Sequence, residues 1–377
     1  MTRTMDILER LVAFPTVSAD SNLDLIDYVR KLLTDAGFTV TLIPSVCGQK
    51  AGIFARIGPG EGGVCLSAHT DVVPVDGQTW THPAFALTRQ GGRVYGRGTT
   101  DMKGFLASAL ALAERAAKAP LKEPLKLAIS YDEEIGCVGI KQMMPRLSTL
   151  LGTPRVVIVG EPTAMHVATG HKGKVALAVT CEGLSGHSAL APNFVNAIHV
   201  AAEFVGEIRA LQDVLSVGQS DEAYSIPYST LHIGKIAGGM ALNIVPDLVQ
   251  LEMEYRYLEE SASGEIYNSI QNVATKIAKK FGTFARIGIS EKNAYYGLET
   301  PSENPAVAWA CGLTGNHQTT KVAFGTEGGF FANLGLNTVV IGPGDMAQDG
   351  HKPDEGIKLS ELAACDQMME RLLLDLQ

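Results

Sequence analysis

The sequence predicts an α/β protein with a mixed, mostly parallel sheet flanked by helices and an inserted α+β domain of the ferredoxin-like type. Helices and strands alternate over the first 170 residues or so and again after Tyr295. Between residues 172 and 293 the predicted order is strand, helix, strand, strand, helix, strand. In addition, 377 residues are long for one hydrophobic core, so two domains are expected.

The first segment contains two predicted helices and a series of short apolar strands. Apolar residues recur at helical spacing from Ser21 to Ala36, and Gly37 provides a left-handed cap. A helix rich in Ala and Leu is predicted from Met102 to Lys118. The predicted strands are Thr39 to Ile43, Gly52 to Ile57, Val64 to Ala68, Leu125 to Tyr131 and Arg155 to Val159.

The glycine-rich segment Gly58 to Gly63 lies between two of these strands and does not open a helix. It therefore predicts a hairpin turn rather than a dinucleotide-binding loop.

We expect residues 172–293 to form the inserted domain, which divides the first domain into residues 1–171 and 294–377. The first domain would end with a strand at Thr338 to Ile341 and a helix from Ser360. Within the inserted domain the predicted elements are the strands Lys174 to Thr180, Ser229 to Ile236, Leu248 to Tyr257 and Phe284 to Ser290, and the helices Asn193 to Leu211 and Gly264 to Phe281.

Composition excludes several classes of partner. The net charge is -9, from 31 basic and 40 acidic residues, and no basic stripe is present, so nucleic-acid binding is not expected. No apolar run resembles a signal peptide or a membrane span. The six cysteines are scattered without a CxxC pair, which predicts free thiols in a reducing cytoplasm rather than disulfides or a zinc-thiolate site.

Five acidic or imidazole side chains each follow a predicted strand or the short loop after one. The carboxyl ends of parallel strands meet at one edge of a sheet, so these side chains are expected to converge. Two divalent cations roughly 3.5 to 4 Å apart need a bridging carboxylate and a few terminal ligands. The sequence therefore predicts a two-metal site, with Asp101 as the bridge because it is short and lies at a helix start. The five residues are His69, Asp101, Glu134, Glu161 and His351.

Two further acidic residues have predicted supporting roles. Asp71, two residues after His69, can accept a hydrogen bond from the ring nitrogen that does not bind metal. Glu133 and Glu134 must point in different directions, so one can bind metal while the other acts as general base and returns the proton to a leaving amine. The alternative for this pair is a solvated acidic turn.

The residues alone leave some of these assignments open. His69 can be a hydrogen-bonded core histidine, and Glu161, which precedes Pro162, can cap a helix. His351 competes with His317, which lies in a similar loop-like segment.

The motifs SAHTDVVP, GRGTTDMKG, DEEIG, GEPT, GHS and HKPDE resemble those of a family of dinuclear metallohydrolases. This family includes acetylornithine deacetylase, succinyl-diaminopimelate desuccinylase, aminoacylase and the glutamate-releasing carboxypeptidases. The resemblance covers essentially the whole chain. It implies a zinc-peptidase-like catalytic domain and gives the inserted domain the role of a lid and dimerisation module.

The resemblance also implies which residues bind each metal ion. His69, Asp101 and Glu161 would hold one ion, and Glu134 and His351 would hold the second with the same bridge. The cofactor would be two zinc ions, although oxygen and nitrogen ligands also suit cobalt or manganese.

By the same resemblance Glu133 is the general base, Asp71 orients His69, and His317 becomes a surface residue. His187 would stabilise the oxyanion, whereas by sequence alone it can equally be a helix-start residue.

Three further residues concern the substrate. Asn243 and Arg256 resemble the substrate-contacting residues of the family's lid, and Arg256 suits a carboxylate. Their alternative role is that of polar groups within the inserted domain. Glu327 lies in a segment, Gly325 to Phe330, that resembles the Thr-Glu-(Ala/Gly) form of acetylornithine deacetylases and favours a substrate with a cationic amine.

The expected reaction is hydrolysis of an N-acyl amino acid, with N-acetyl-L-ornithine converted to L-ornithine and acetate in arginine biosynthesis. The expected enzyme is a cytoplasmic homodimer that associates through the inserted domain, with no nucleic-acid or membrane partner. Desuccinylase, aminoacylase and dipeptidase specificities share the metal chemistry and stay open. A non-catalytic metal-binding relative would lack the base or a ligand, whereas all of these residues are present.

Overall fold

The computed structural model describes residues 2–377, which divide into two compact units. Unit 1 contains the chain up to Gly170 together with Leu298–Val322 and Thr326–Gln377. Unit 2 contains His171–Gly297 and Ala323–Gly325. The sequence placed the boundaries after residues 171 and 293.

Most of the longer helices bury one apolar face. The α-helices are α1 (Arg3–Val12), α2 (Leu23–Asp35), α3 (Gly104–Ala116), α4 (Val138–Leu151), α5 (Ala197–Ser216), α6 (Glu260–Phe281), α7 (Pro305–Thr314), α8 (Gly328–Asn333), α9 (Met346–Asp349) and α10 (Leu359–Asp375).

The longest strands are the four of the unit 2 sheet, which have 9 or 10 residues each. In chain order the strands are β1 (Thr39–Pro44), β2 (Ala51–Ile57), β3 (Val64–His69), β4 (Thr88–Gln90), β5 (Arg93–Tyr95), β6 (Leu125–Ser130), β7 (Val156–Val159), β8 (Val167–His171), β9 (Gly173–Glu182), β10 (Gly186–His187), β11 (Thr230–Gly238), β12 (Ile244–Val245), β13 (Leu248–Tyr257), β14 (Arg286–Tyr295), β15 (Leu298–Glu299), β16 (Thr319–Val322), β17 (Thr338–Val340) and β18 (Gly356–Lys358).

The central sheet of unit 1 has the strand order β1-β2-β6-β3-β7-β17-β8-β15, with β16 paired to β8. Its middle strands β6, β3, β7 and β17 run parallel, whereas β1 and β2 are antiparallel to their neighbours. Strands β3, β6 and β7 are buried along their whole length, as expected for parallel strands covered on both faces. The predicted mixed α/β class with a parallel centre is confirmed.

Helix α3 lies at the centre of the helical layer and packs against α1 and α10. Its Ala and Leu residues are buried on nearly all sides, the pattern expected of a core helix. This burial fixes the position of the first residue of α3, Gly104, and Asp101 lies three residues before it.

The hairpin predicted at Gly58 to Gly63 is wrong. Strand β6 lies between β2 and β3, antiparallel to the first and parallel to the second, so the segment connects strands that do not pair with each other. A Cβ on Gly63 would lie 1.9 Å from the carbonyl oxygen of Pro124, just before β6. The glycine therefore permits close packing against a distant segment, which local sequence does not reveal.

Unit 2 has a four-stranded antiparallel sheet in the order β11-β13-β9-β14. Helices α5 and α6 pack against this sheet, and together they form the apolar core of unit 2. The order strand, helix, strand, strand, helix, strand is the one that the sequence predicts.

All six cysteines are free, and five of them are buried, as predicted for unpaired thiols. Within residues 2–377, no helix combines the length and the apolar character that a bilayer span requires.

Candidate metal centre

Three of the five predicted ligands lie at the ends of adjacent parallel strands. His69 is the last residue of β3, Glu134 follows the end of β6 by four residues, and Glu161 follows the end of β7 by two. Strand β3 pairs with both β6 and β7, so these ends meet at one edge of the central sheet. This is the arrangement that the sequence predicts.

Asp101 and His351 lie next to strands of a second, smaller sheet. Asp101 lies in the turn Thr99–Lys103 that follows β5 and leads into α3. His351 lies five residues before β18, and β18 pairs with β5 in a separate three-stranded sheet. The expectation that all five residues follow strands of one sheet is therefore wrong for Asp101, whereas His351 lies, as predicted, in the loop after β17, which pairs with β7 in the central sheet.

The five side chains meet around Asp101. Its Oδ1 lies 3.1 Å from Nε2 of His69, and its Oδ2 lies 3.2 Å from Nε2 of His351. Glu161 Oε1 is 3.6 Å from the same nitrogen of His69, and Glu134 Oε2 is 2.9 Å from that of His351. Each oxygen of Asp101 thus faces a different histidine, as a bridging carboxylate must.

The donor set fits divalent cations. Ligand atoms of His69, Asp101 and Glu134 lie within 4.8 Å of one another, and so do those of His69, Glu133 and Glu161. Glu161 Oε1 is buried without a hydrogen-bond partner among the described residues. Buried carboxylates placed together are unfavourable unless cations offset their charge.

The pKa values reflect the same crowding of charge. Burial, reinforced by the charge of Asp101, raises the pKa of Glu134 to about 7 and raises that of Glu161 well above its usual value. Hydrogen bonds to Asp101 and Glu134 raise the pKa of His351 to about 10. Without cations, this cluster therefore retains protons that metal ions would displace.

Asp71 has a wider role than the sequence predicts. The closest partner of His69 Nδ1 is the backbone oxygen of Asp71 at 3.0 Å, and the Asp71 carboxylate is 3.4 Å away. That carboxylate accepts hydrogen bonds from the backbone N–H groups of Glu133 at 3.0 Å and Glu134 at 3.2 Å. Ser18 Oγ also donates to it at 2.7 Å. Asp71 therefore connects the His69 strand to the turn that carries both glutamates.

Glu133 lies beside the proposed ligands, and its carboxylate has a hydrogen-bond donor within the protein. The Cys137 thiol donates to its Oε1 at 3.3 Å. Burial raises the pKa of Glu133 well above its usual value, a change that the charges of Glu134 and Asp101 reinforce. A carboxylate with a raised pKa can accept a proton near neutral pH.

Glu327 is buried beneath the site. Its carboxylate is 1% exposed and accepts a hydrogen bond from Ser67 Oγ, on strand β3, at 3.2 Å. Burial raises its pKa to about 7. Its predicted contact with a substrate amine stays a prediction.

The other predicted residues belong to unit 2. His187 on β10 pairs with Ile244 on β12, and Ser188 N donates to Asn243 O at 3.1 Å, so His187 and Asn243 are neighbours within this unit. His187 Nδ1 accepts from Ala189 N at 3.0 Å, which fits the helix-start role. Arg256 donates Nε to Glu254 at 3.0 Å.

Sequence reasoning missed four residues around the site. Arg97 and Glu355 lie within the motifs GRGTTDMKG and HKPDE, but a single sequence does not show that they form a buried ion pair. Ser18 and Cys137 have no motif signal that distinguishes them from other small core residues. His317, set aside by the resemblance, is exposed.

The sequence matches the Peptidase family M20/M25/M40 over residues 65–375. The chain belongs to this family. Membership in the M20 family confirms the predicted enzyme class, a metal-dependent hydrolase.

Individual M20 relatives extend over nearly the whole chain. It is 34% identical over 360 residues to acetylornithine deacetylase of Shigella sonnei (strain Ss046), which covers 93% of this chain and 92% of that protein. A tripeptidase of Staphylococcus aureus shares the fold with a TM-score of 0.79, 19% identity, and coverage of 99% of this chain and 97% of the other. A dinuclear metal-binding M20 peptidase of Bacillus subtilis has a TM-score of 0.72 and 16% identity, over 99% and 98% of the two chains.

Proposed function

We propose that the protein hydrolyses the amide bond of N-acyl amino acids, and that N-acetyl-L-ornithine is its substrate, with L-ornithine and acetate as products. The observation that carries the chemistry is the placement of Asp101 between His69 and His351. The specificity is supported by the similarity to acetylornithine deacetylase over nearly the whole length of both chains. The reaction would serve arginine biosynthesis in the cytoplasm.

The distances around Asp101 support two metal positions. His69, Asp101 and Glu161 would hold one ion, and Asp101, Glu134 and His351 would hold the other. We propose zinc, with cobalt as the alternative. Two such cations would lower the pKa of a water molecule and polarise the carbonyl of the amide.

Glu133 is the proposed general base. It would take the proton from the attacking water and deliver it to the nitrogen of the leaving amine. Its backbone N–H is held by Asp71 and its carboxylate by the Cys137 thiol, so both ends of the residue have a fixed place. Asp71 would in addition orient the ring of His69 through its backbone oxygen.

Unit 2 would supply substrate contacts and the subunit interface. We propose that His187 stabilises the oxyanion and that Asn243 and Arg256 contact the substrate, in line with the resemblance of their motifs. A homodimer formed through unit 2 is supported by its exposed apolar side chains, including Met240 at 91% and Leu242 at 99% exposure. These two side chains follow β11, which is an edge strand of the sheet.

A substrate panel tests this proposal. The purified protein, loaded with zinc or with cobalt, would be assayed for hydrolysis of N-acetyl-L-ornithine, N-succinyl-diaminopimelate and N-acetyl-L-methionine. We expect the highest kcat/KM with N-acetyl-L-ornithine and no activity after the metals are removed. Preference for either other compound would reject the proposed substrate but retain the chemistry, whereas activity without metal would reject both.

A further inference from the structure

A buried ion pair outside the predicted ligands joins the loops that carry Asp101 and His351. Arg97 Nη1 donates to Glu355 Oε2 at 2.8 Å, and both side chains are 1% exposed. Desolvation of two charges can exceed their mutual attraction, so such a pair needs further hydrogen bonds. Those hydrogen bonds show what the pair holds in place.

The Glu355 carboxylate binds the backbone that leads to Asp101. Its Oε2 accepts from Gly98 N at 2.9 Å, and its Oε1 accepts from Thr100 N at 2.8 Å and from Asp101 N at 3.1 Å. The backbone at Asp101 is not helical, with φ -122° and ψ 95°. Glu355 therefore supplies acceptors to N–H groups of an irregular turn and fixes the direction in which this turn presents the bridging carboxylate.

Arg97 reaches the loop of His351. Its Nη1 also donates to Lys352 O at 3.2 Å, and its Nη2 donates to the side-chain oxygen of Gln78 at 2.5 Å. The side-chain nitrogen of Gln78 in turn donates to His351 O at 2.9 Å. His351 has a φ of 60°, which residues other than glycine adopt uncommonly. The guanidinium of Arg97 thus holds Lys352 O directly and His351 O by way of Gln78.

We propose that Arg97 and Glu355 are positioning residues for the metal site that contains His351. Acting through the backbone of Asp101 and, by way of Gln78, through that of His351, they set the rate at which this site releases its metal. The inference rests on the proposed function, because it requires that the cluster binds metal. Among the described residues, neither side chain is hydrogen-bonded to a proposed ligand atom, and their hydrogen bonds run to the backbone of the two loops and to Gln78.

Metal release from the loaded enzyme tests the inference. Wild type and the variants Glu355→Gln, Arg97→Lys and Gln78→Leu would be loaded with zinc and mixed with a chromogenic chelator. Arg97→Lys keeps the charge but loses the two-armed contact. Gln78→Leu leaves the ion pair in place and removes the link to His351 O together with the acceptor of Arg97 Nη2 and Trp80 Nε1. Outer contacts of this kind typically change metal affinity by about 10- to 100-fold. The ion that leaves first is assigned to the site that contains His351. We expect its release to accelerate by that factor in Glu355→Gln and Arg97→Lys, and by less in Gln78→Leu.

Leu372→Ala is the control for a merely structural effect. Leu372 is fully buried in α10, and its truncation should lower Tm by creating a cavity. We expect this variant to release metal at the wild-type rate. If Arg97→Lys and Gln78→Leu also release metal at that rate, whatever their Tm, the inference is overturned.

Two other outcomes separate the inference from the proposed function. If Glu355→Gln does not fold, Gln78→Leu decides, because Gln78 is partly exposed and lies outside the ion pair. A wild-type protein that binds no zinc overturns the proposed function and this inference together. Wild type with two bound ions, and unchanged release in the variants, overturns the inference alone.

Discussion

The two histidines of the candidate metal centre are held in different ways. His69 is the last residue of the central strand β3. Its side chain is 1% exposed and contacts the backbone of Asp71. The His351 side chain is 50% exposed and lies in a loop that depends on the small sheet and on side-chain hydrogen bonds. The buried half is therefore assembled by the folding of the central sheet, whereas the exposed half depends on the support of its loop. Mutations should affect stability in the first half and metal retention in the second.

The largest effect is expected at Glu133, which acts between the two halves. Glu133→Gln should lower kcat by about 10² to 10⁴ while both metals are retained, because the amide cannot transfer the proton. Steady-state kinetics and elemental analysis measure the two quantities. Glu134→Gln is the contrast, and it should lose the metal on the His351 side. Loss of metal from Glu133→Gln instead would make Glu133 a ligand.

Replacement of each histidine separates the halves directly. In the metal-free protein, His69→Ala should lower the free energy of unfolding by about 1 to 3 kcal/mol, because the buried Asp71 oxygen and Asp101 Oδ1 lose their partner. His351→Ala should lower it by less than His69→Ala does, since the His351 side chain is half exposed and water can replace part of its contacts with Asp101 and Glu134. Urea denaturation measures both values. Equal losses of stability in the two variants would contradict the distinction.

The raised pKa values of His351 and Glu134 predict that metal binding releases protons. The metal-free His351 has a pKa of about 10, so its ring is protonated at pH 7, and Glu134, with a pKa of about 7, is partly protonated. Both must lose these protons to bind metal. Apparent metal affinity should therefore rise with pH up to about pH 10, most steeply below about pH 7, where both groups are protonated. Calorimetric titration in buffers of different ionisation enthalpy counts the protons, and a pH-independent affinity would refute this account.

The smallest effect is expected at Cys137, whose thiol donates to Glu133 Oε1. Cys137→Ala should lower kcat by about two- to tenfold, the range that corresponds to the net free energy of one hydrogen bond. Cys311→Ala is the matched control, since Cys311 is buried in α7. An unchanged kcat in Cys137→Ala would show that Glu133 needs no such donor.

Local patterns in the sequence predicted much of the fold and placed candidate residues after its strands, and the resemblance of the motifs resolved which of those residues cluster. Apolar runs locate β3, β6 and β7, and polar residues just after them locate His69, Glu134 and Glu161. The pairing of β5 with β18 was not predictable, since each strand has only three residues and little apolar pattern.

Packing between distant segments explains the remaining differences. The turn glycine Gly63 is explained by Pro124 and not by its own neighbours in sequence. The same holds for Arg97 and Glu355, which are ordinary charged residues until the structure shows them buried against each other.

Metal stoichiometry tests the central claim most directly, namely that Asp101 bridges two ions held by His69 on one side and His351 on the other. Elemental analysis after loading and gel filtration should give two ions per chain for wild type, one for His351→Ala and none for Asp101→Ala. Fewer than two ions in wild type, or two ions retained in Asp101→Ala, would contradict the account.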